Sequence, residues 1–140
     1  MIPREELLAL AREVAQRAHC PYSHFHVGAA VVAGGKTYIG VNVEISSYGL
    51  TLCAERSALA AAVAAGAGPV TQVALACIDA PPAAPLNERS PCGACRQLLA
   101  EYACNARIWV ADSRALQAIK EFSVAELLPG AFLEVPAEPD

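Results

Sequence analysis

At 140 residues, 55% hydrophobic and 17% charged, the chain has the length of one domain and enough apolar mass for its own core. A formal net charge of −4 argues against a nucleic-acid polymer as partner, because phosphate backbones call for clustered Lys and Arg. No run of about 18 apolar residues offers a membrane span, and MIPREELLALAREV, with Arg4, Glu5 and Glu6, does not read as a secretory signal.

Residues 4–18 predict a first helix: Leu7, Leu8, Ala11, Val14, Ala15 and Ala18 recur at three- and four-residue spacing, and Pro21 ends it. HVGAAVVA (26–33) and KTYIGVNV (36–43) predict two strands joined at Gly34-Gly35, where glycine tolerates positive φ. CAERSALAAAVAAG (53–66) predicts a second helix stopped by Gly66 and Gly68. VTQVALACI (70–78) is apolar enough to be a third strand covered on both faces. A loop follows, then a third helix, CGACRQLLAEYA (92–103), opened by Pro91, and a fourth strand, ARIWVAD (106–112). Residues 115–122 fit either strand or helix. Ser123, with Glu126 at the capping-box position, opens a short last helix, and the tail VPAEPD reads as mobile.

This order describes one mixed α/β domain over 1–140, its core about 4–133, with helices packed on the faces of a sheet. Ligands of such sheets bind beyond the carboxyl ends of strands. The starts of the second and third helices are therefore expected to meet at one site. The alanine-rich, apolar composition also implies faces covered by other subunits.

Six cysteines without a signal peptide point to a reducing cytoplasm, where they serve as metal ligands, catalytic groups or buried small hydrophobes. Cys92 and Cys95 in SPCGACRQ form a C-x-x-C, which alone fits a redox pair, half a structural zinc site or part of a catalytic one. Cys53 in TLCAERSA stands at the other helix start. Helix N-termini favour thiolate, and three thiolates suit a tetrahedral zinc with one position left for water. Glu55, two residues on, can then move a proton without ligating the metal. Arg56 can offset the excess negative charge of three thiolates. Cys20, Cys77 and Cys104 read as buried small hydrophobes. His19, His24 and His26 read as helix-end and loop residues, and Trp109 as a core or interface aromatic.

The C-A-E and P-C-G-A-C-R-Q pair resembles the zinc nucleoside deaminases, a class whose signature is an established one. CPYSHFHVGAA, GVNVEISSYGLTLCAERSA, SPCGACRQ and ELLPGAF extend that resemblance to the small homotetrameric cytidine deaminases over residues 5–133. The resemblance implies a three-layer α-β-α sandwich around a mixed five-stranded sheet. It implies one Zn²⁺ per subunit on Cys53, Cys92 and Cys95, with Glu55 as proton shuttle. It implies substrate binding by Asn42, Glu44, Phe25 and Ala54, and by Phe132 of a neighbouring subunit. Asn42 and Glu44, at i and i+2 near a strand end, also suit a diol without that likeness. The implied reaction is hydrolysis of cytidine or 2′-deoxycytidine to the uridine and ammonia, in pyrimidine salvage. Ile45, where many relatives are polar, and the Gly34-Gly35 turn depart from the family pattern without touching the chemistry. Two other readings are a deaminase of another aminopyrimidine, such as an aminoacylated nucleoside, and a structural zinc module that binds a protein.

Overall fold

The computed structural model describes residues 1–81, 84–111 and 119–134. Five strands form one sheet in the order β2-β1-β3-β4-β5, from β1 (Val27–Ala33), β2 (Lys36–Val41), β3 (Val70–Cys77), β4 (Arg107–Val110) and β5 (Lys120–Ser123). β3 and β4 run parallel and every other pair is antiparallel, so the sheet is mixed. The parallel pair needs a crossover, and α3 (Gly93–Tyr102) supplies it.

Alternation along β1 builds the layers. Ala30 and Val32 face α1 (Arg4–Ala15), packing with its Leu7, Leu8 and Ala11. Ala29, Val31 and Ala33 face the other way, toward Ala58 and Leu59 of α2 (Ala54–Ala64) and Leu99 of α3. The result is the expected three-layer sandwich. Helices lie close to the sheet because two strand positions have no side chain. A Cβ on Gly28 would stand 2.0 Å from the Ala11 carbonyl oxygen, and one on Gly40 would stand 2.3 Å from the Ala58 nitrogen. Gly40 thereby sets how near the sheet α2 can sit.

The β1–β2 turn uses Gly34 and Gly35 at φ +57° and +76°, as the hairpin chemistry requires. The capping box forms as read: Ser123 Oγ accepts from the Glu126 N–H and the Glu126 carboxylate accepts from the Ser123 N–H, opening α4 (Val124–Leu127). β3 is buried at every position but Thr71.

Several boundaries differ from expectation. α1 stops at Ala15 rather than 18, because the chain leaves it to pair with the sheet margin: the His19 N–H donates to the Asn42 carbonyl and the Glu44 N–H to the His19 carbonyl. β2 ends at Val41, and Val43 pairs instead with Leu52. A short 3₁₀ turn covers Tyr48–Leu50 and another Leu86–Glu88. The ambiguous stretch resolves at its end into β5; residues 112–118 and the tail from 135 lie outside the described residues. Cys20 and Cys77 are buried as expected, but Cys104 is exposed, since it follows the end of α3 on a turn. Gln72, buried at 1%, holds both the N–H and the carbonyl of Ile2, satisfying its amide and anchoring the N-terminus. Among the described residues no helix is long and apolar enough to cross a membrane.

Candidate active site

Both cysteine-bearing helices begin at one place. Cys53 is the N-cap of α2 and Cys92 the N-cap of α3, each with extended backbone. Cys92 Sγ accepts from the Cys95 N–H, so the C-x-x-C spacing is also a capping spacing: the side chain turns back over the first turn of α3. That brings Cys95 Sγ within 3.4 Å of Cys92 Sγ, and Cys53 Sγ lies 3.8 Å from Cys92 Sγ. Three sulfurs held ~2.3 Å from one tetrahedral centre would stand about 3.8 Å apart. Spacing and donor chemistry therefore fit a zinc ion. Among the described residues no fourth His, Cys, Asp or Glu joins the cluster.

Charge already gathers there. The Cys53 thiol is drawn down to about 5, chiefly by a hydrogen bond from Cys95, helped by Arg56 and Cys92 and opposed by burial. Cys95 moves the opposite way, as donor to Cys53 and as a buried thiol. Arg56 Nη2 lies 3.7 Å from Cys53 Sγ and donates to the Thr51 carbonyl at 2.6 Å, so its cation is fixed against the cluster.

Glu55, in the first turn of α2, is buried at 4% exposure. Burial pushes its carboxyl up to about 7; the Cys53 charge adds to this, while backbone and Cys95 hydrogen bonds and Arg56 pull down. A carboxyl poised there can both take and give a proton near neutral pH.

A cleft of about 310 Å³ opens over this group, within the range of small-molecule sites. Cys53, Ala54, Glu55 and Cys92 line one end, and Phe25, Asn42 and Glu44 the other. Glu44 is buried at 3%; burial pushes its carboxyl up, but hydrogen bonds from the Ser23 hydroxyl and the Ser23 and Tyr22 N–H groups outweigh it and hold the carboxyl below its usual value. Asn42 donates from Nδ2 to the Phe25 carbonyl and accepts at Oδ1 from the Val27 N–H, leaving its second amide hydrogen for a ligand.

Three residues named from the sequence do not line the cleft, among them Arg56, which sits against the Cys53 sulfur. Cys95 is buried behind it as part of the cluster, and Phe132 is 80% exposed, its carbonyl accepting from Gln97 Nε2. The histidines stay out of the sulfur cluster; His26 Nδ1 lies 2.6 Å from the Asp79 carboxylate. Sequence reasoning missed Ser23, Tyr48, Thr51 and Arg89, which also line the cleft. Thr51 Oγ1 and Arg89 Nη1 are buried there without partners among the described residues. Each comes from a loop, and no spacing rule ties a loop residue to a site it reaches only through the fold.

Residues 1–111 match the family profile described as cytidine and deoxycytidylate deaminase zinc-binding region. The chain is 42% identical over 129 residues to a cytidine deaminase of Sporosarcina psychrophila, covering 91% of this chain and 90% of that one. It is 41% identical over 131 residues to a probable cytidine deaminase of Dictyostelium discoideum, covering 91% and 82%. The crystal structure of cytidine deaminase from Burkholderia pseudomallei superposes with a TM-score of 0.83 at 36% identity, covering 94% of this chain and all of that one.

Proposed function

The chain belongs to the cytidine and deoxycytidylate deaminase family, and from that premise we propose that it is a cytoplasmic, zinc-dependent cytidine deaminase acting on cytidine and 2′-deoxycytidine in pyrimidine salvage. The observation that carries this reading is the buried Glu55 carboxyl beside three converging thiols, at the end of a cleft whose other end presents Asn42 and Glu44.

In this reading Cys53, Cys92 and Cys95 hold one zinc per subunit. The chemistry zinc supplies in such a setting is activation of water at neutral pH. Glu55 takes a proton from the attacking water and delivers it to ring N3 as the oxygen adds at C4. It then takes the proton of the new C4 hydroxyl and gives it to the departing amino group as the C4–N bond breaks and the C4 carbonyl forms, so that cytidine and water leave as uridine and ammonia. Arg56 holds the Cys53 sulfur and offsets its charge. Ala54, the first residue of α2, offers a backbone N–H without a helical partner to the base. Asn42 and Glu44 take the sugar hydroxyls, and Phe25 packs on the ring.

Incubating the zinc-loaded protein with cytidine and following the ultraviolet spectrum tests the reading directly. Conversion to uridine is expected; an unchanged spectrum under full zinc loading rejects it. A structural zinc module would leave cytidine untouched.

Assembly belongs to the same proposal. Phe132 is 80% exposed, Leu50 70% and Tyr48 54%, an apolar display that suits contact with further copies. We expect a homotetramer of four 14.6 kDa chains, a solution mass of roughly 58 kDa with D₂ symmetry, in which Phe132 completes a neighbour's cleft. Phe132→Ala should then weaken cytidine binding by about 0.5–1.5 kcal/mol beyond lost burial with zinc retained. Co-refolding it with inactive Glu55→Gln subunits should restore some activity, because some sites pair an intact Glu55 with an intact Phe132. A fully active monomer, or hybrids no better than their parents, rules out action across an interface.

A further inference from the structure

The sugar end of the cleft is tied together by one hydroxyl. Glu44 lies just beyond the end of β2, and its carboxylate accepts from the loop that carries Phe25. Oε1 takes the Tyr22 N–H at 3.2 Å and the Ser23 N–H at 3.0 Å, and Oε2 takes the Ser23 hydroxyl. The same Ser23 oxygen accepts from the Phe25 N–H at 3.0 Å. From the other side, Asn42 holds the Phe25 carbonyl at 2.8 Å and the Val27 N–H at 2.9 Å. Phe25 is thus gripped fore and aft by the two polar residues at the sugar end of the cleft, one of them acting through Ser23.

A carboxylate has about four acceptor positions, and three are taken by this loop. The one left, on Oε2, is where an incoming hydroxyl can donate, and the Ser23 hydroxyl on that same oxygen fixes which way it points. Chained hydrogen bonds polarise one another, so a hydroxyl bound at Glu44 is felt at the Phe25 backbone. Resting on the nucleoside reading above, we propose that Ser23 is a positioning residue that orients Glu44 toward a sugar hydroxyl and couples its occupancy to the placement of Phe25, making the enzyme selective for hydroxyl-bearing nucleosides. Ser23 lines the cleft on an exposed loop, so its replacement leaves the core intact.

The test is a comparison of cytidine with 2′,3′-dideoxycytidine, which has no sugar diol, across wild type, Ser23→Ala, Ser23→Thr and Ser23→Val. Thr and Val share a shape and differ by a hydroxyl. Zinc content and Tm are measured for each. In Ser23→Ala and Ser23→Val the ratio of kcat/KM for cytidine to that for the dideoxy compound should fall about ten-fold, the size of a charge-assisted hydrogen bond. The fall should appear in the KM for cytidine and not in its kcat. Ser23→Thr should keep the ratio within about three-fold of wild type. An unchanged ratio in the Val variant, even with both substrates slowed equally, assigns Ser23 a loop-holding role only and overturns the proposal. A wild-type enzyme that turns over neither nucleoside overturns the deaminase reading and this inference with it; turnover with an invariant ratio overturns the inference alone.

Discussion

Glu55→Gln is expected to retain zinc and fold while losing nearly all turnover. Loss of a general acid–base typically costs ~10²–10⁴-fold, and here one carboxyl serves both proton transfers, so the loss in kcat should reach the upper end of that range or exceed it. Gln matches the shape and fills the same buried position, which keeps α2 and the Cys53 cap in place. A second readout needs no substrate. Burial raises the Glu55 carboxyl from an ordinary 4.5 to about 7 in the metal-free protein. A group whose folded value is raised contributes stability that is complete below about 4.5 and is lost as pH rises through about 7. Gln carries no such dependence. Metal-free Glu55→Gln should therefore melt above metal-free wild type at pH 8, and the gap should narrow toward pH 5. Kinetics and differential scanning calorimetry check the two halves. Near wild-type kcat would sink the shuttle, and a pH-independent melting gap would show that the carboxyl is not strained by its burial.

What could be read in advance was whatever a few neighbouring residues decide. Gly34-Gly35 demands positive φ, Ser123 and Glu126 cap each other, and Leu7 to Ala15 repeat at helical spacing; each such feature forms in the structure. The cysteines were legible for the same reason, since N-cap positions carry their own chemistry. The failures are long-range. α1 ends early because His19 finds Asn42 and Glu44, residues more than twenty positions away. Gln72 lies within a strand read simply as apolar, and the partner that satisfies its buried amide, Ile2, is 70 positions away. Cys104 was read as core because cysteines usually are, and only the turn after α3 decides its exposure. Ser23 had no role of its own in the sequence, because its meaning depends on the fold bringing Glu44, 21 positions away, against it.

Cys53→Ala, Cys92→Ala and Cys95→Ala should each lose zinc and activity together. The three sulfurs come from two helices and converge without a fourth protein ligand among the described residues, so removing one leaves two thiols where a tetrahedral zinc needs at least three protein donors. Each of these changes carries a side effect that must be separated from lost ligation. Cys92 Sγ caps the Cys95 N–H, so Cys92→Ala also costs α3 its cap, typically ~1 kcal/mol. Cys92→Ser restores a capping oxygen but not a thiolate. It should recover the lost melting temperature of the metal-free protein while still failing to hold zinc. Cys53 anchors Arg56, so Cys53→Ala frees that guanidinium from the cluster while leaving its bond to the Thr51 carbonyl. Cys95 is fully buried, and its replacement by Ala removes one sulfur from a packed wall together with the hydrogen bonds its thiol gives Cys53 and Glu55. Metal analysis of dialysed protein reads the ligand question without reference to catalysis: wild type should hold one zinc per chain and each variant close to none. Full zinc in any one variant would remove the replaced residue as a ligand. If all three stayed loaded, the sulfurs would be a thiol cluster with no metal role, and Glu55 would have no activated water to work on.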